Sequence, residues 1–216
     1  MNAAAAPMHP FQPAESPAII LASQSAIRRQ LLSQAGILFE PKAAAIDEES
    51  IKQASQAEGA SPGETALLLA ELKAARIRLP DALAADVLVI GADQLLVCEN
   101  QWFDKPQNRE QARAQLRLLR GRSHMLHTAI TVLRNNQVIW HHIETPVLTM
   151  RDFSDEFLEA YLDQECPAIL SCVGAYRLEG PGIHLFDRIA GDHSSILGLP
   201  LLPLLGFLRQ HGAVRK

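Results

Sequence analysis

Cysteine is scarce in this chain, and the scarcity excludes a class of folds. Cys98, Cys166 and Cys172 are scattered over 216 residues and form no C-x-x-C pair, so no disulfide framework is expected. Unpaired thiols fit a reducing compartment. Long apolar runs are missing as well. None approaches the ~20 residues that cross a bilayer, which removes a membrane from the expected partners. A basic excess is also missing. Lys and Arg number 20 against 24 Asp and Glu, a net charge of -4, so a nucleic-acid polymer is not an expected partner either. At 48% hydrophobic, the chain can still bury a substantial core. The first 17 residues are rich in Ala and Pro and lack an apolar h-region. They read as a flexible tail rather than a signal peptide, leaving 18–216 as one domain. Together these features lead us to expect a soluble cytoplasmic protein.

Familiar catalytic signatures are absent too. There is no G-x-x-x-x-G-K-[ST] loop and no G-x-S-x-G elbow. Gly180-Pro181-Gly182 is not a dinucleotide fingerprint, because no third glycine opens a helix. His124 and His127 lie three apart on an expected strand and His141 and His142 are neighbours, so each pair points to opposite faces. Neither makes a natural zinc site, and no H-E-x-x-H occurs.

What is present centres on Leu21–Leu32, L-A-S-Q-S-A-I-R-R-Q-L-L. The apolar run Ala18–Leu21 leads into two serines, two arginines and a resumed apolar pattern. This reads as a buried strand, a polar turn and a helix. Ser23 or Ser25 can cap the helix. The free N–H groups and dipole of its first turn attract an anion, and Arg28 adds a forked cation. These residues describe a phosphate cradle without glycines. From this stretch alone, an ordinary capped helix with two solvated arginines describes them at least as well.

Further along, the acids Asp47, Glu48 and Glu49 suit a helix start. Ser61-Pro62-Gly63-Glu64 carries a capping box and predicts a helix to about Leu79, with Leu68, Leu72 and Ala75 as its apolar face. Lys73 sits beside that face, where lysine usually snorkels to the surface. Asp86–Ile90 predicts a strand buried on both sides, running into Gly91-Ala92-Asp93-Gln94. A carboxylate at the end of such a strand is costly unless it is paired or liganded. Asn108 and Gly121 bracket a helix, and Asn135-Asn136 joins two long strands, 124–133 and 138–150. Ser154 caps a helix of about 155–164, and 200–211 forms a last apolar helix. Strands mixed with helices, with a hairpin among them, indicate an α/β fold.

Taken in order, these motifs resemble the Maf family of nucleoside triphosphate pyrophosphatases. L-A-S-Q-S-A-I-R-R-Q-L-L is similar to its opening pattern, L-A-S-x-S-P-x-R-x-x-L-L. The likeness continues through I-D-E (46–48), the helix with Lys73, G-A-D-Q (91–94), D-K-P (104–106), L-R-G-R-S-H, V-G-A-Y-R-L-E-G and G-L-P-L. It covers about residues 18–212. Each motif alone is weak, but their shared order is specific.

The resemblance implies an elongated mixed β-sheet in two lobes with flanking helices and a central cleft, as in Maf and inosine-triphosphatase-like proteins. It implies hydrolysis of a nucleoside triphosphate to the monophosphate and diphosphate. Asp93 then matches the general base that activates water for attack on the α-phosphorus. Ser23, Arg28, Lys73 and Lys105 match residues that bind the triphosphate. Glu48 matches the acid near a divalent metal (Mg²⁺, Mn²⁺ or Co²⁺), and Asp93 can be base, metal ligand or both. Arg29 is left as a structural or surface residue. Family members are often dimers, which makes a second copy of the chain a candidate partner. The chemistry is coherent, because phosphoryl and nucleotidyl transfer need charge neutralisation and in-line positioning more than covalent catalysis.

Three positions bear on the base. Ile27 stands where the dTTP/UTP branch carries Arg and the 7-methyl-GTP branch Trp, and matches neither. Gln94 and Glu179 both match the 7-methyl-GTP branch. A carboxylate can accept from the paired N–H groups of guanine, an edge pyrimidines lack. The resemblance therefore favours a guanine-type base. The alternatives are a dTTP/UTP-type pyrophosphatase and a nucleotide-binding cell-division regulator without turnover.

Overall fold

The computed structural model describes residues 9–80, 84 and 86–216. It shows an α/β fold built on an open mixed sheet of eight strands, ordered β2-β1-β3-β5-β7-β8, with β4 on β3 and β6 on β5. The strands are β1 (Ala18–Leu21), β2 (Glu40–Pro41), β3 (Val87–Cys98), β4 (Gln101–Phe103), β5 (Ser123–Arg134), β6 (Gln137–Glu144), β7 (Val147–Met150) and β8 (Phe186–Ala190). The helices are α1 (Ala26–Gln34), α2 (Glu48–Ala57), α3 (Pro62–Ala75), α4 (Arg109–Leu119), α5 (Asp155–Glu165), α6 (His193–Ile196) and α7 (Leu201–Gln210). The contacts divide the chain into two compact units, with boundaries between Asp93 and Gln94 in β3, Thr128 and Ala129 in β5, Ile143 and Glu144 in β6, and Leu197 and Gly198.

The first unit comprises residues up to 93, 129–143 and 198–216. Here β1 runs parallel to both β2 and β3, with Leu21 opposite Ile90. Of the expected tail, residues 1–8 lie outside the described residues. Gln12 is buried and pairs with the backbone of Leu38 in both directions. Helix α3 begins with the expected capping box at Ser61 and Glu64. Its buried face is not the expected one. Leu68 and Leu72 are exposed, and Thr65, Ala66, Leu69, Ala70, Lys73 and Ala74 face inward. The reason is that this helix is apolar nearly all round, so periodicity alone does not choose a face, whereas small residues let it approach β3 closely. A Cβ on Gly91 of β3 would lie 2.1 Å from the carbonyl oxygen of Ala70. Lys73 is thereby carried inward rather than along the surface.

The second unit comprises 94–128 and 144–197. Its core gathers Leu96, Leu116, Leu126, Leu148, Phe153, Leu158, Leu162 and Leu185, among others. Asn108 and Ser154 cap α4 and α5 as expected. The two helices face each other through a ladder of surface ion pairs, Arg109 and Arg113 to Glu159, and Arg117 and Arg120 to Asp155. The expected strand 138–150 is two strands. Thr145-Pro146 divides β6 from β7, and β7 pairs with the start of β5 and with β8. Proline lacks the N–H that a continuous ladder needs.

Candidate active site

The opening motif folds as read. Backbone hydrogen bonds tie β1 to β3, and α1 follows directly. Ser25 is the N-cap, its hydroxyl accepting from the Arg28 N–H at 3.3 Å. Ser23 does a different job. It is buried, and its hydroxyl accepts from Ser25 N at 3.2 Å and Arg28 Nη1 at 3.4 Å.

Arg28 is a clamp on the backbone. Its Nε donates to the Gly198 carbonyl at 2.7 Å and its Nη1 to the Ala92 carbonyl at 2.8 Å. Nη2 meets no acceptor among the described residues, and a Cβ at Gly198 would come within 3.2 Å of it. Burial pulls the Arg28 pKa down, while the charges of Asp93 and Glu48 push it back up. A guanidinium stays protonated under either influence. Arg29 is exposed, and Ile27 is half-buried in the first turn of α1.

Asp93 lies on β3 and is 5% exposed. Its Oδ1 is held by Lys73 Nζ, which also reaches Glu48 Oε1 at 2.7 Å. Two carboxylates from β3 and α2 thus converge on one ammonium from α3. The strand expected over Asp86–Ile90 runs on to Cys98, so Asp93 lies in its middle rather than at its end, and a carboxylate buried there requires this compensation. Five of the expected residues, Ser23, Arg28, Glu48, Lys73 and Asp93, therefore stand together in the first unit. Two carboxylates are the usual protein share of a Mg²⁺ shell, with substrate oxygens and water completing it. Among the described residues, no three His, Cys, Asp or Glu side chains gather to hold a metal by themselves. This donor set fits a divalent ion that shares its shell with a triphosphate.

Ile27 also lies in the first unit, whereas Gln94, Lys105 and Glu179 belong to the second. Gln94 follows Asp93 on β3, but its amide nitrogen is already committed. It donates toward the carbonyls of Ser195 and Ile196 at 3.1 and 3.0 Å, and lies 2.7 Å from Thr128 Oγ1. Two carbonyl acceptors fix the orientation of the amide, so Gln94 can address a ligand only as an acceptor, through Oε1. Lys105 and Glu179 are both exposed. They share a neighbourhood. Burial raises the pKa of the Cys172 thiol, which also feels the charges of Glu179, Arg177 and Lys105.

Several residues of these arrangements escape sequence reasoning. The carbonyls of Ala92 and Gly198 carry no side-chain signal, although both lie within quoted motifs. His124 is 1% exposed and pairs with Tyr176 Oη at 2.9 Å. Burial pushes its pKa down to about 4. The only hint of this pair is that both residues sit in motifs, L-R-G-R-S-H and V-G-A-Y.

Residues 18–211 match the family model described as Maf-like protein. The chain belongs to the Maf family. A "nucleoside triphosphate pyrophosphatase" of Granulibacter bethesdensis is 58% identical over 198 residues, covering 91% of this chain and 98% of that protein. A protein of the same description from Rhodospirillum rubrum is 50% identical, covering 92% and 96%. A "7-methyl-GTP pyrophosphatase" of Rhizobium meliloti is 48% identical, covering 92% and 98%. The Maf motifs thus coincide with the clustered side chains of the first unit and with the turn that carries Glu179.

Proposed function

We propose that this Maf-family chain hydrolyses guanine-type nucleoside triphosphates, 7-methyl-GTP among them, to the monophosphate and diphosphate. Family membership and the names of its relatives make it a nucleoside triphosphate pyrophosphatase. The proposal concerns the base and the residues that act. The observation that carries the enzymatic part is the buried carboxylate of Asp93, held by Lys73 beside the Arg28 clamp, while the guanine-type base rests on the exposed Glu179 carboxylate. A nucleotide sensor needs cations but has no use for a buried base, whose charge costs stability.

In this reading Ser23, Arg28, Lys73 and Lys105 bind the triphosphate, with Arg28 donating through Nη2. Asp93 orients a water and takes its proton as the water attacks the α-phosphorus. The α–β phosphoanhydride bond breaks and diphosphate leaves. Glu48 and Asp93 would hold a divalent ion (Mg²⁺, Mn²⁺ or Co²⁺), whose chemistry there is to neutralise phosphate charge. Glu179 accepts from the paired N–H edge of guanine, and Gln94 offers Oε1 as an acceptor. Ile27 gives an apolar contact where the two family branches place Arg or Trp.

The test is a substrate screen with 7-methyl-GTP, GTP, dTTP, UTP and 5-methyl-UTP and each of the three metals. Diphosphate is read as phosphate after added inorganic pyrophosphatase. Preference for the guanine-type substrates is expected. Preference for dTTP or UTP overturns the base assignment, and tight nucleotide binding without turnover overturns the enzymatic reading.

A further inference from the structure

A buried carboxylate stands at the C-terminal end of α5. Glu165 is the last residue of that helix and is 6% exposed. Nothing local favours an acid there, since the negative end of the helix dipole repels it and burial penalises its charge. Its compensation is Arg177, whose Nε donates to Glu165 Oε2 at 3.0 Å. Such pairs contribute little net stability, because desolvating both charges offsets their attraction. What the pair does hold is the turn from Arg177 to Gly182.

Arg177 is the floor of that turn. Gly180 N donates to its carbonyl at 3.3 Å. A Cβ at Gly180 would lie 3.2 Å from Arg177 Nη2, and one at Gly182 only 2.3 Å from Arg177 O, so the turn closes down on this one residue. The approach to the turn is anchored as well. Gly174 and Ala175 take φ of 79° and 59°, Tyr161 Oη donates to Ala175 O at 3.3 Å, and Tyr176 meets His124. Glu179 sits exposed within the turn. Burial pulls the Arg177 pKa down, but contact with Glu165 and the longer-range charge of Glu179 outweigh it. Arg177 is therefore in contact with Glu165 and feels the charge of Glu179, two residues further along the turn.

We infer that Glu165 is a positioning residue for base selectivity: by holding Arg177 it keeps the guanidinium off Glu179, whose carboxylate stays open to the donor edge of the base. The inference rests on the reading of Glu179 given above. Without Glu165, Glu179, two residues along the same turn, is the remaining carboxylate whose charge acts on Arg177, and that pairing would take the acceptors the base needs.

The test compares KM and kcat for GTP and UTP in wild type, Glu165→Leu, Arg177→Leu, the double variant and Glu179→Gln, with thermal melts to verify folding. Glu165→Leu should raise KM for GTP about tenfold or more, change kcat less than about threefold and leave UTP unaffected. The double variant should recover most of that loss, since no guanidinium remains to occupy Glu179. A merely structural role would shift both substrates and leave the double variant no better, and either result overturns the inference. Unchanged GTP kinetics in Glu165→Leu overturns it too. If Glu165→Leu does not fold, Arg177→Leu decides: it should keep its preference for GTP at a lower melting temperature, and loss of that preference overturns the inference. Glu179→Gln separates the two claims. If it leaves selectivity intact, the base reading falls. If it abolishes selectivity while Glu165→Leu has no effect, only the positioning role falls.

Discussion

Lys73 and Asp93, twenty residues apart, are in direct contact, and the same ammonium reaches Glu48 at 2.7 Å. One cation thus serves two carboxylates, only one of which is deeply buried. Removing either partner tests a different thing. Asp93→Asn should lower kcat about 10²–10⁴-fold while changing the affinity for a non-hydrolysable triphosphate only a few-fold. Steady-state kinetics beside calorimetric titration check it, and full activity would exclude Asp93 as the base. Lys73→Met leaves a buried carboxylate without its counter-ion. It should cost about 3–5 kcal/mol in a urea melt, in addition to lost activity.

Arg28→Lys keeps a positive charge but not the fork. An ammonium on a flexible stem cannot reproduce the simultaneous contacts to the Gly198 and Ala92 carbonyls. We expect a stability loss of about 1–3 kcal/mol and roughly tenfold weaker triphosphate binding. Titration with the non-hydrolysable analogue reads the second effect, and unchanged affinity would make Arg28 a purely structural clamp.

Gly91→Ala tests how α3 delivers Lys73. The added methyl would stand 2.1 Å from the Ala70 carbonyl oxygen and 3.0 Å from the Ala74 Cβ, so the helix has to move off the strand. Overpacking of this kind costs about 1–3 kcal/mol. Activity should fall further than stability alone explains, because Lys73 moves with the helix. A variant as stable and as active as wild type would refute the close approach.

His124 predicts an acid-sensitive core. Its folded pKa of about 4 lies below its ordinary 6.5, so the unfolded chain binds the proton more readily. Stability from this source is complete above about pH 6.5 and falls as pH drops toward about 4, by about 3 kcal/mol in all. Urea midpoints measured between pH 7 and 4 should show the slope, and His124→Phe should flatten it. A second loss belongs at lower pH. Hydrogen bonds from Arg113 and Arg109 hold Glu159 at about 2, so its contribution fades between about pH 4.5 and 2.

Local signals carried much of the fold. The capping box at Ser61 and the caps at Asn108 and Ser154 marked helix starts that the structure reproduces, because a cap is a contact within four residues. The turn Asn135-Asn136 was legible for the same reason, both residues taking φ near +55° (54° and 58°). The inward face of α3 was not legible. Leu68 and Leu72 offered a hydrophobic stripe, yet Ala66, Ala70 and Ala74 faced inward, a choice made by a glycine on a strand elsewhere in the chain.

The site divides along the same line. By itself the sequence determined which chemical groups are present and in what order: serines and arginines after a buried strand, an acid following the apolar run of another, and a lysine on the helix between. It also determined family membership, since ordered motifs need no coordinates. Only the tertiary structure decided what those groups do to one another. It turned Lys73 from a surface lysine into the counter-ion of Asp93 and Glu48, and Arg28 into a backbone clamp. It committed the Gln94 amide nitrogen to two carbonyls and brought Glu165 under the turn of Glu179. The physical reason is that capping and turn formation act over a few residues, whereas burial and charge compensation depend on neighbours supplied by distant parts of the chain.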